Sequence, residues 1–132
     1  MRIVPAVFVL MLTAAVCSAD SVSAEVAASI NAGRYDDAIA VLRRDGARRE
    51  LLLAVAYVGK GDLVGARREA ESLLRQRPDD VAANYLLALI LEEQREYKTA
   101  AERWEAVARH ATDKAVRDVA YRHAAMMRLL QQ

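Results

Sequence analysis

Residues 47–80 and 81–114 carry one apolar pattern twice, at an interval of 34 residues, and that interval constrains the fold more than any other feature of the chain. In the first unit Leu53, Ala54 and Tyr57 share a helical face, Gly61-Asp62 breaks the run, and Ala66, Ala70 and Leu73 resume it before Pro78 stops it. In the second, Leu87, Ala88 and Leu91 are followed by Tyr97, Ala100, Trp104 and Val107. Each unit is therefore expected to be a helical hairpin. Neither helix of such a hairpin can bury its stripe alone, so the natural partner of one hairpin is another of the same kind.

The pattern extends in both directions. From Ser21 to Ala32, Val22, Val26 and Ile30 lie four apart, Gly33-Arg34 ends the segment, and Tyr35 opens a second helix with Ala38, Val41 and Leu42 inward. Gly33, Tyr35 and Ala38 precede Gly61, Leu63 and Ala66 by 28 residues, so this first copy, 20–46, is short and stops early at Asp45-Gly46. Pro78-Asp79-Asp80 ends one helix and caps the next, because Pro cannot continue the ladder and Asp accepts the free N–H groups of a new helix. The third copy has Arg95 where Gly61 stands and Thr112 where Pro78 stands, which weakens the signal for a tight turn at Arg95. Thr112-Asp113 caps a final helix over 114–131, with Val116, Val119, Ala120 and Met127 on one side.

Ahead of these copies, Met1-Arg2 supplies a positive start, Ile3 to Val16 is apolar, and Cys17-Ser18-Ala19 has the small-residue spacing of a signal-peptidase site. Residues 1–19 read as a secretory signal cut after Ala19, with Ala24 the second choice. The expected destination is the periplasm or the outside of the cell. The run is shorter than the ~20 residues of a membrane-spanning helix, so no stable membrane insertion is expected once it is removed. Cys17 is the only cysteine, which leaves no partner for an intrachain disulfide. Ala14 and Val16 stand where a lipoprotein site wants Leu and a small residue, which disfavours lipid anchoring at Cys17. Lys and Arg total 19 against 18 acidic residues, and Arg2 in the leader accounts for the excess. No net field favours nucleic acid.

Taken together, the 34-residue period, Ala54 and Ala88 in the first helix, Tyr57 one turn later, Gly61-Asp62-Leu63, the small Ala38, Ala66 and Ala100, and Pro78 make residues 19–132 resemble a tetratricopeptide repeat protein. The Trp usual in the first helix of that family is replaced by Glu50 and Asn84. The resemblance implies an all-α, right-handed superhelical array of about three helix-turn-helix repeats, approximately 20–46, 47–80 and 81–114, plus a C-terminal capping helix. Small residues suit such an array, because helix axes as close as ~8 Å leave no space for a large side chain where they cross.

The resemblance also implies a use, since in these arrays the first helix of each pair lines a concave face that holds a protein or peptide partner. Here that face would show Arg48, Leu51, Leu52, Val55 and Val58, then Tyr85, Leu86, Leu89, Glu92 and Glu93. Leu52 and Leu86 are expected to pack on the neighbouring repeat. That leaves Arg48, Leu51, Val55, Val58, Tyr85, Leu89, Glu92 and Glu93 as partner-binding residues, an apolar strip with charged ends. The Lys, Arg and Asn of the family's carboxylate-clamp subclass are missing from the matching places, which disfavours capture of an acidic C-terminus there. Burial of the strip in a homo-oligomer is the alternative.

No enzymatic constellation is legible. His110 and His123 are the only histidines, there is no glycine-rich phosphate loop or HExxH, and a metal site from the two histidines with Asp113 would be short of ligands. No cofactor is expected. Trp104 and Tyr121 read as core residues, and both histidines as surface or helix-end residues.

Overall fold

The computed structural model describes residues 21–45 and 50–132, and these are helical almost throughout. The helices are α1 (Ser21–Asn31), α2 (Tyr35–Asp45), α3 (Glu50–Lys60), α4 (Leu63–Gln76), α5 (Val81–Glu93), α6 (Tyr97–His110) and α7 (Lys114–Leu130). Among the described residues there is no strand. The expected signal segment, its cleavage after Ala19, Cys17 and Arg48 lie outside the described residues. No helix among those described is long and apolar enough to cross a membrane.

Three of the connections are one turn made three times. After α1, Gly33 takes φ 74°, its N–H donates to the Ile30 carbonyl, and the Arg34 N–H reaches back to Ser29 at 2.8 Å. After α3, Gly61 takes φ 88° while the Asp62 N–H donates to the Tyr57 carbonyl at 2.9 Å. After α5, Arg95 takes φ 61° and the Glu96 N–H donates to the Leu91 carbonyl at 2.9 Å. Bonds of this kind satisfy carbonyls that a helix C-terminus leaves open, and they need one left-handed residue, which glycine supplies without strain. The weakened expectation at Arg95 is thus corrected. The turn forms there with an L side chain, since the surrounding hydrogen bonds are the same.

Helix starts follow the caps read from sequence. The Asp80 carboxylate accepts from the Ala83 N–H at 2.8 Å and the Asp113 carboxylate from the Val116 N–H at 3.2 Å. Asp62 does the same for α4, accepting from the Gly65 N–H at 2.9 Å.

The described residues divide into two compact units, one up to residue 66 and one from residue 67. In the first, α1 packs on α2 and α2 on α3. Its core holds Val26, Ala38, Leu42, Ala54, Tyr57 and Ala66. Gly59 lies so close to Tyr35 that an added Cβ would fall 2.2 Å from the ring, so the glycine allows the start of α2 to rest on α3. In the second unit α5 packs on α6 and α6 on α7, around Leu87, Ala88, Leu91, Ala100, Trp104 and Val107. Ala38, Ala66 and Ala100, equivalent in the three copies, are all fully buried. Small residues thus occupy the places where the helices have no space for a larger side chain.

Candidate functional site

The helices that were expected to present an apolar strip are apolar nearly all round, and a helix of that kind is buried rather than displayed. In α3, Val55 keeps 7% of its surface exposed and Val58 3%; in α5, Tyr85 keeps 2%. These three are core residues, which corrects their assignment to an open groove. The Tyr85 ring meets Trp104 edge-on at 4.8 Å between centroids. Burial, reinforced by the charge of Glu92, holds the Tyr85 phenol above its ordinary pKa and so neutral. Leu51 and Leu89 remain half-buried and Glu93 exposed.

Glu92 is only partly exposed and is engaged within the second unit. Its Oε1 accepts from the Trp104 indole Nε1–H and lies 2.7 Å from His123 Nδ1. The His123 ring in turn lies tilted against Trp104, with centroids 4.5 Å apart. Trp104 is fully buried, so its N–H needs an acceptor inside the protein, and a helix-end glutamate supplies it. His123 is therefore part of this packed network, whereas His110 sits exposed at the end of α6, 3.3 Å from Asp79. No cluster of three metal-ligating side chains occurs among the described residues. Tyr121 was expected in the core but is 61% exposed on α7.

Asn84 is fully buried with its amide satisfied. Its Nδ2 donates to the carbonyls of Pro78 at 3.0 Å and Asp80 at 2.9 Å, and its Oδ1 accepts from Arg103 Nη1 at 3.2 Å. The residue ties the connecting loop to both helices of the third hairpin.

Arg103 leads to a feature that the sequence reading missed. In the second unit an open cleft of about 420 Å³ runs between α4 and α6, with α5 at its base. Leu74, Leu87 and Leu91 form an apolar floor, and Arg67, Glu71, Arg75 and Arg103 supply the charge. Arg67 is engaged within the chain, since its guanidinium pairs with Glu71 at 2.9 Å and Glu96 at 2.7 Å and donates to Gln94 at 2.9 Å. Those hydrogen bonds, to Glu96 and then Glu71, raise its pKa further. Arg103 differs: its Nε is buried and has no acceptor among the described residues. Arg67 and Arg75 stand on α4 and Arg103 on α6, so the packing of second helices, which no sequence motif announces, brings them together.

Comparisons with protein-family models, with curated proteins and with solved structures found no match.

Proposed function

We propose that this chain is a non-enzymatic interaction module of the cell envelope, a tetratricopeptide-type array of three hairpins and a capping helix that holds a segment of a protein partner. The observation that carries the reading is the turn repeated at Gly33, Gly61 and Arg95 with Ala38, Ala66 and Ala100 buried behind it. Hairpins of one kind in tandem form quasi-one-dimensional arrays, whose extended surfaces serve binding. Export, by the segment at 1–19, belongs to the same proposal. With Val55, Val58 and Tyr85 in the core, the available part of the original strip is Leu51, Leu89 and Glu93.

A second reading has its own observation: α7 exposes Tyr121, Met126, Leu129 and Leu130, and exposed apolar side chains favour association. In that reading the chain is an accessory subunit completed by a second copy. Sedimentation velocity of the purified protein separates the two. The module reading expects a monomer at low micromolar concentration, and a dimer that persists on dilution replaces it with the subunit reading.

A further inference from the structure

We propose that His123 and Met126, one turn apart on α7, form a binding site for a soft monovalent metal ion, Cu(I). The proposal goes beyond the interaction-module reading and does not depend on it. It starts from the orientation of one ring. The Glu92 carboxylate can only accept hydrogen bonds, and its Oε1 lies 2.7 Å from His123 Nδ1, so in the neutral imidazole Nδ1 carries the hydrogen and Nε2 the lone pair. Nε2 makes no hydrogen bond to the described residues, and it is not enclosed, since the only buried side-chain nitrogen or oxygen left without a partner among them is Arg103 Nε. With 39% of the side chain exposed, that lone pair is open to an ion from solvent. A histidine whose other nitrogen is tied to a carboxylate is the usual form of a metal-binding histidine, because the carboxylate fixes the tautomer and the ring. Trp104 adds to the fixing, since its indole N–H donates to the same Glu92 oxygen and its ring lies against the imidazole.

The donors that accompany Nε2 decide which metal. Zinc sites draw three or four ligands from His, Cys, Asp and Glu, and no three such side chains come together among the described residues. Sulfur is what the neighbourhood supplies. Met126 and Met127 follow His123 at i+3 and i+4, the two spacings at which helical side chains are neighbours, and a long side chain in a helix leans back over the turn before it. Met126 keeps 53% of its surface exposed and can turn its thioether toward the ring on flexible torsions, whereas Met127 is 5% exposed and part of the core. Thioether sulfur selects Cu(I) over harder divalent ions, and imidazole serves copper as well. Glu92 places one negative charge beside the ring, which balances a monovalent cation but not a divalent one.

The test uses the full chain carrying Cys17→Ser, so that no thiol competes, and Ag(I) as a stand-in for Cu(I) that needs no reductant. The His123 ring signals and the Met126 ε-methyl signal are followed by NMR as Ag(I) is added, and the fluorescence of Trp104, the only tryptophan, is read alongside. The ring and the methyl are expected to shift together with one affinity, and Cu(I), kept reduced without oxygen, is expected to displace Ag(I) where Zn(II) does not. Met126→Leu, an exposed change that keeps the helix, removes a ligand and is expected to weaken binding by more than the roughly tenfold typical of losing an outer partner. His110→Gln is expected to leave the affinity unchanged. The absence of any shift, a methionine shift without the His123 ring, or displacement by Zn(II) but not by Cu(I) overturns the proposal. So does an undiminished affinity in Met126→Leu, or an equal loss in His110→Gln.

Discussion

Two residues store most of what is unusual in this chain. Arg95 holds a left-handed conformation that costs an L residue roughly 1–2 kcal/mol, although glycine serves the same turn at positions 33 and 61. Its replacement by glycine relieves that strain but adds freedom to the unfolded chain. Arg95→Gly is therefore expected to raise stability by about 0.5–1 kcal/mol, read as a higher urea midpoint with an unchanged slope. Glu92 works in the opposite sense. Glu92→Ala leaves the buried Trp104 N–H without an acceptor and should cost about 1–3 kcal/mol, whereas Glu92→Gln keeps an acceptor and should cost clearly less. Equal losses would mean that the hydrogen bond contributes nothing. Neither role was legible from periodicity. Arg95 was seen only as a missing glycine, and Glu92 only as a charge at the end of a strip, because helical spacing assigns a face without saying which neighbour reaches it. Tyr85 titrates in a way that can be measured. Its folded pKa lies above the ordinary phenol value of 10.0, so the stability of the neutral phenol is fully present below about pH 10 and is lost as pH rises through the folded value. Urea midpoints should fall above that pH, and less steeply in Tyr85→Phe.

At the scale of helices, the sequence was most informative where a stop or a cap has one physical cause. Asp80 and Asp113 cap as read, and α6 spans Tyr97–His110 as expected. It was least informative for α3 and α5, whose residues are apolar on every side. Their composition, ELLLAVAYVGK and VAANYLLALILEE, was itself a sign of burial that a search for one exposed stripe overrode. Contact between elements can be tested at Gly59. Helix propensity alone would make Gly59→Ala stabilising by about 1 kcal/mol, but the new Cβ would fall within the Tyr35 ring. The expected result is a net loss of about 1–3 kcal/mol from overpacking, with most of it recovered in a Gly59→Ala/Tyr35→Ala double variant. A stabilised single variant would mean that α2 does not rest on α3 through that ring.

For the whole molecule, the 34-residue interval led to helical hairpins, and the described residues form helices packed in neighbouring pairs. The candidate site was legible only in part. Leu89 and Glu93 keep exposed surface, while Val55, Val58 and Tyr85 do not, and the arginine-lined cleft was invisible because it depends on two second helices meeting over α5. The central claim is that the chain holds another protein. It is tested most directly in the living cell, with a photo-reactive phenylalanine analogue placed at Leu89 and, separately, at Arg75 on the rim of the cleft. The account predicts a discrete adduct with a different polypeptide from at least one of these positions and none from Arg109, exposed at the end of α6. Adducts confined to a second copy of this chain, or the same adducts from Arg109, would contradict it.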